Sequence, residues 1–286
     1  MSQATALRKI LAQPGALLLP GAYDAMAAKL AALAGFKAVY LSGSALAMSR
    51  FGYPDVGLLT MTEVMDQVRR VTSAVDIPVV VDADTGYGNA LNVWRTVREA
   101  EASGAAAIQL EDQDFPKKCG HFEGKQVVSA SEMVGKIKAA LEARQTDLLI
   151  IARTDARAVN GLDDAIARAQ AYAEAGAEII FVEAPRSREE MARICQSVKA
   201  PLLINVVEGG KTPQLSMAEL AELGYKVVLY PTSSIRAVAY SLQTYYTELD
   251  AKGTTADMTD RFITFEERNR LNRLSWFEEW ERKFSS

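Results

Sequence analysis

The stretch Glu174-Ala175-Gly176-Ala177-Glu178-Ile179-Ile180 reads as the last turn of a helix, a closing glycine and the entry to a strand. Glycine takes up the left-handed conformation that ends a helix without a Cβ penalty, and the β-branched pair after it suits a strand buried on both faces. The pattern recurs at Leu33-Ala34-Gly35-Phe36-Lys37-Ala38-Val39-Tyr40, at Ala102-Ser103-Gly104-Ala105-Ala106-Ala107-Ile108 and at Glu222-Leu223-Gly224-Tyr225-Lys226-Val227-Val228. Helix, glycine, strand is the αβ half of a βαβ unit, the connection that parallel strands require.

Outward from these copies, the other short apolar runs complete eight candidate strands, near 16–20, 37–42, 78–82, 106–111, 148–153, 178–183, 201–205 and 226–230. Apolar residues of helical period lie between them, such as Val93, Val97 and Ala100, or Ala165, Ile166, Ala169 and Tyr172. The alternation predicts an α/β fold, a (β/α)8 TIM-type barrel, and 286 residues lie within the range that such barrels cover as a single domain, here 1–286. An open doubly wound sheet is the alternative. Against it, the Gly-rich turn Asp84-Thr85-Gly86-Tyr87-Gly88-Asn89 lacks the third spaced glycine of a dinucleotide fingerprint, and there is no Walker A sequence. In the tail, 264–286, Leu271, Leu274, Phe277, Trp280 and Phe284 recur at spacings of three and four, which predicts one additional C-terminal amphipathic helix. It is expected either to pack on its own barrel or to dock on a neighbouring subunit.

Composition narrows the function. With 32 Lys and Arg against 36 Asp and Glu, a formal charge of −4, no global positive field exists to hold nucleic acid or an anionic membrane. No apolar run approaches the roughly 20 residues that span a bilayer, and the N-terminus lacks a signal-peptide pattern, so a cytoplasmic protein is expected. Two cysteines, Cys119 and Cys195, exclude a disulfide framework, and any cysteine chemistry would use a reduced thiol.

In such barrels the working residues stand at the C-terminal ends of strands. Those ends read Tyr40-Leu41-Ser42-Gly43-Ser44, Asp82-Ala83-Asp84, Glu111-Asp112, Arg153-Thr154-Asp155, Glu183, Asn205 and Pro231-Thr232-Ser233-Ser234. Four or more acids converging on one rim repel one another and are costly to desolvate, so they call for a cation. Asp82-x-Asp84 with Glu111 offers hard oxygen ligands without His or Cys, which favours Mg²⁺ or Mn²⁺ over Zn²⁺. The stretch 112–128 reads as a long polar loop, the kind that is usually functional or disordered. It holds Lys117-Lys118-Cys119-Gly120-His121, where two lysines and the chain's single histidine make a field that favours the thiolate of Cys119. Cys195, among Met191, Ile194 and Val198, reads instead as a small core residue.

Taken together, Tyr40-Leu41-Ser42-Gly43, Asp82-Ala83-Asp84-Thr85-Gly86-Tyr87-Gly88, Glu111-Asp112-Gln113, Lys117-Lys118-Cys119-Gly120-His121 and Ala152-Arg153-Thr154-Asp155 resemble the isocitrate lyase and phosphoenolpyruvate mutase superfamily over nearly the whole chain. The Lys-Lys-Cys-Gly-His run resembles its carbon–carbon lyase branch, and the short chain is similar to 2-methylisocitrate lyases. The resemblance implies a metal held by Asp82 and Asp84, a closing loop that bears Cys119 and Gly120, and a homotetramer with the tail helix exchanged between subunits. It also implies a substrate carboxylate at Ser42, Gly43 and Ser44, with Arg153, Glu183 and Asn205 lining the site. Arg236 and Arg268 resemble substrate-binding arginines of methylisocitrate lyases. The run Val206-Val207-Glu208-Gly209-Gly210-Lys211-Thr212-Pro213 is instead more similar to the branch acting on oxaloacetate and alkylated malates, the petal-death type, because the residue two after Asn205 carries no hydroxyl.

The implied chemistry is cleavage of a 2-hydroxy acid, with Tyr40 as base, Cys119 as proton donor tuned by Lys118 and His121, and Arg153 offsetting developing charge. Products would be pyruvate or glyoxylate and a dicarboxylate such as succinate. Phosphonomutase chemistry on phosphoenolpyruvate or its carboxy derivative is the less favoured alternative, because the Cys-bearing loop departs from the mutase pattern.

Overall fold

A computed structural model of the chain describes residues 2–120 and 122–285. Eight parallel strands close on themselves in sequence order: β1 (Leu17–Ala22), β2 (Val39–Leu41), β3 (Val79–Asp82), β4 (Ala107–Glu111), β5 (Leu149–Thr154), β6 (Ile179–Val182), β7 (Leu202–Asn205) and β8 (Tyr225–Tyr230). Leu17 pairs with Val227 and Pro20 with Tyr230 where β1 meets β8, so no edge is left. Each strand falls within two residues of its predicted position. All four glycines of the recurring unit are left-handed: Gly35 at φ 91°, Gly104 at 82°, Gly176 at 104° and Gly224 at 112°. A side chain at those turns would be strained, which is why the repeat carries glycine there.

Two apolar layers hold the barrel. One lies between strands and helices and includes Val81, Ile108, Ile150 and Ile180 with Val97, Ile137 and Tyr172. The other fills the interior with Leu19, Tyr40, Val80, Ile151, Phe181, Leu203 and Leu229. Ala4 and Leu7 of the helix Gln3–Leu11 join that inner layer, and Arg8 of the same helix pairs with Glu178 just before β6. The helix thereby plugs the N-terminal mouth, and the opposite rim is left for chemistry.

Residues 236–286 form a second compact unit. It holds most of the helix Ser233–Lys252, a 3₁₀ turn Ala256–Arg261 and two short helices, Phe265–Leu271 and Leu274–Phe284. The tail is therefore two helices where one was expected. Arg273 is left-handed at φ 57° and interrupts the helical run. The interruption lasts two residues, which preserves the three-and-four apolar spacing, so periodicity alone does not reveal it. Among the described residues no helix is long and apolar enough to cross a membrane.

Candidate active site

The loop 112–128 is zipped at its base. Gln113 and Val127 form an antiparallel bridge, Asp114 N–H donates to the Gln126 carbonyl at 2.9 Å, and Val128 N–H to that of Asp112 at 2.9 Å. The zip returns the chain over the barrel rim, where a cavity of about 110 Å³ opens. Tyr40, Ser42 and Ser44 line it from the end of β2, and Asp82 from β3. Arg153, Glu183 and Asn205 line it from β5, β6 and β7, and Cys119 and Gly120 cover it from the loop. Nine of the residues picked out by sequence thus meet in one place.

Several have partners that sequence does not reveal. Gly43 N–H, expected at a substrate carboxylate, donates to Asp82 Oδ2 at 3.2 Å. Ser42 Oγ accepts from Ala45 N at 3.3 Å and caps a helical turn. Lys118, expected to tune the thiol, donates from Nζ to the Gly124 carbonyl at 3.0 Å. Lys117 carries the stronger interaction. Its buried ammonium lies 2.9 Å from Asp84 Oδ1 and pairs also with Asp55. The Asp55 carbonyl in turn accepts Cys119 N–H at 3.1 Å. Asp55 sits in an ordinary-looking Pro-Asp turn, and nothing in the sequence singles it out. His121 lies outside the described residues. Arg236 and Arg268 belong to the second unit and are exposed, with the Arg268 guanidinium 4.6 Å from the centre of the Phe265 ring.

Arg153 is held from three sides. Nε and Nη2 donate to Asp155 at 2.9 and 3.0 Å, Nη1 lies 3.2 Å from Glu111 Oε2, and Nη2 is 3.6 Å from Glu183 Oε2. Its guanidinium also stands 5.2 Å from the centre of the Phe181 ring, within cation–π range. Asp155 was quoted in the motif but given no role; here it orients the arginine.

Charge is unbalanced. Asp55, Asp82, Asp84, Glu111, Asp155 and Glu183 share three buried cations, Lys117, Lys125 and Arg153. Burial pushes the Asp84 carboxyl up to about 6 against the pull of Lys117. Burial likewise drives Glu111 well above the carboxylate range, opposed by Arg153. Glu111 Oε1 is buried with no hydrogen-bond partner. An excess of buried oxygen acids, Glu111 among them with an orphaned atom, fits a hard divalent cation. The expected three-carboxylate cage is nevertheless not assembled: among the described residues no three His, Cys, Asp or Glu side chains converge as one, since Glu111 turns its other oxygen to Arg153. Mg²⁺ tolerates this, because it keeps several waters and uses one or two carboxylates.

Tyr40 lines the same cavity as Asp82 and Arg153. Burial, then the Asp82 charge, raises its phenol well above the ordinary tyrosine value. The Arg153 charge pulls the other way and favours the phenolate.

The model of the phosphoenolpyruvate phosphomutase family matches residues 7–249. The chain belongs to that family. It is an enzyme of the lyase branch of the isocitrate lyase and phosphoenolpyruvate mutase superfamily. Family membership accounts for the shared barrel and for the order of the strand-end motifs. The chain is similar to the 2,3-dimethylmalate lyase of Eubacterium barkeri, 48% identical over 100% of this chain and 99% of that one. It is also similar to the 2-methylisocitrate lyase of Aeropyrum pernix, 48% identical over 90% of this chain and 83% of that one. A solved 2,3-dimethylmalate lyase superposes with a TM-score of 0.94 at 33% identity, covering 100% and 96% of the two chains. A phosphonopyruvate hydrolase solved with oxalate and Mg²⁺ superposes at 0.90 and 32% identity, covering 100% of both.

Proposed function

We infer that this enzyme is a divalent-cation-dependent carbon–carbon lyase that cleaves a 2-hydroxy di- or tricarboxylate to pyruvate or glyoxylate and a second carboxylate. The observation that carries the reading is the meeting of Cys119, Arg153 and the Asp82 carboxylate around one cavity. Asp82 and Asp84, with Glu111 behind them, are the residues that would hold Mg²⁺ or Mn²⁺, and the bound cation would polarise the 2-hydroxy acid portion of the substrate.

The protein's own groups do the rest. The Ser42 and Ser44 hydroxyls orient one substrate carboxylate. The hydroxyl proton passes to Tyr40, which lines the cavity with Arg153, a neighbour whose charge favours the phenolate. The bond between C2 and C3 breaks with its electron pair left on C3, and the hydroxyl carbon becomes the 2-oxo group. Arg153 offsets the charge that develops, and the Cys119 thiol gives its proton to C3. Glu183 and Asn205, joined at 3.3 Å, fix the far wall.

A second reading, an alkylated malate or oxaloacetate as substrate, is favoured by Val207. This side chain lines the cavity two residues after Asn205 and offers a methyl surface where a third carboxylate would need a polar partner. Arg236 and Arg268 would serve a tricarboxylate. Cytoplasmic location and a homotetramer with exchanged tails belong to the same proposal, and exposed Trp276, Phe277, Trp280 and Phe284 support the assembly. Release of pyruvate from 2-methylisocitrate, 2,3-dimethylmalate and 2-methylmalate, of glyoxylate from isocitrate and of oxalate from oxaloacetate, with Mg²⁺ or EDTA, tests the reading. Absence of turnover on all of them sinks it.

A further inference from the structure

The loop that carries Cys119 is anchored by a lysine that the chemistry above does not use. The Lys125 side chain is 1% exposed. Its Nζ donates to the Gly120 carbonyl and, at 2.8 Å, to Asp155 Oδ1. The same Asp155 oxygen accepts Arg153 Nη2 at 3.0 Å. Asp155 is itself pinned to the barrel wall, its backbone N–H donating to Asp112 Oδ1 at 2.9 Å. Burying an ammonium is costly unless it is paired. Here the pair also spends a bond on the loop's own backbone.

Two independent features show what that bond achieves. Gly120 is outside the left-handed region, so conformation alone does not demand glycine. A Cβ there would stand 2.5 Å from Arg153 Nη2 and 2.7 Å from Glu183 Cγ, so the loop backbone is seated directly on these two side chains. On the other side of Cys119, the buried Gln113 carboxamide brackets Lys118, donating to its carbonyl at 2.8 Å and accepting its N–H at 2.9 Å.

We propose that Lys125 is a positioning residue that holds the Gly120 backbone onto Arg153 and Glu183 through Asp155, and thereby sets the place of the Cys119 thiol. Seating of the thiol and orientation of Arg153 then depend on one carboxylate. The kinetic consequence rests on Cys119 being the proton donor; the seating itself is read without substrate.

The full chain is treated with iodoacetamide and both cysteines are followed by mass spectrometry, Cys195 serving as the internal reference. In Lys125→Met and in Gly120→Ala, Cys119 is expected to alkylate about tenfold faster, with Cys195 unchanged, because local opening exposes the thiol. On whichever substrate of the panel is turned over, kcat is expected to fall about 10²-fold with KM within about threefold, the signature of a misplaced group. If Lys125→Met does not fold, Gly120→Ala decides. An unchanged Cys119 rate in the folded variants overturns the proposal, and so does equal acceleration of both cysteines, which would mark general loosening. Turnover of no panel carboxylate by the wild-type enzyme defeats the lyase reading, while the labelling rates still decide the seating.

Discussion

The Lys117 ammonium stands 2.9 Å from Asp84 Oδ1 and ties the Cys-bearing loop to the acid at the end of β3. Asp84 and Asp55 raise the Lys117 pKa well above the ordinary lysine value although burial pulls the other way. Removing the cation leaves two carboxylates buried without it. Lys117→Met is therefore expected to cost roughly 3–5 kcal/mol of stability, the usual loss when one member of a buried pair is deleted. Denaturant unfolding measures this, and adding Asp55→Asn should recover part of the loss.

The two thiols should separate by reactivity. Burial pushes the Cys195 thiol up to about 11. At pH 8 only about one molecule in 10³ then carries the reactive thiolate. Cys195 alkylation should rise about tenfold per pH unit toward pH 11, and at pH 8 Cys119 should be labelled first. Faster labelling of Cys195 at pH 8 would contradict the assignment of its surroundings.

Charge imbalance at the rim predicts a cation-dependent melting temperature. At Mg²⁺ about 100-fold above its Kd the folded state should gain about 2.7 kcal/mol. EDTA should remove that gain, and Asp82→Asn should leave no Mg²⁺ response. Calorimetry reads each case without any assumption about substrate.

Val207 predicts specificity. Replacing it with Thr puts a hydroxyl on the cavity wall, so the ratio of kcat/KM for 2-methylisocitrate over 2,3-dimethylmalate should rise, by about tenfold for one added hydrogen bond to a carboxylate. A ratio that does not move would remove Val207 as the discriminating side chain.

The barrel was legible because its signals are local: a left-handed glycine and the strand after it are neighbours in the chain. Strand-end residues such as Asp82, Arg153 and Asn205 were legible for the same reason, since strand position dictates which rim they reach. The ionic web was not. Lys117 meets Asp55 across 62 residues and Lys125 meets Asp155 across 30, and no spacing rule connects them. Tyr40 was legible in identity and place, but its proton affinity depends on burial and on Asp82, which only packing reveals. The break at Arg273 was hidden because a two-residue interruption leaves the apolar rhythm intact.

The central claim is that the rim cavity breaks a carbon–carbon bond with Cys119 as proton donor. Its most direct test is pyruvate formation from 2,3-dimethylmalate and 2-methylisocitrate with Mg²⁺, comparing wild type with Cys119→Ser. The account predicts stoichiometric pyruvate from at least one of them and a loss of about 10²-fold or more in the variant. Full turnover by Cys119→Ser, or no pyruvate from either substrate with wild type, would contradict it.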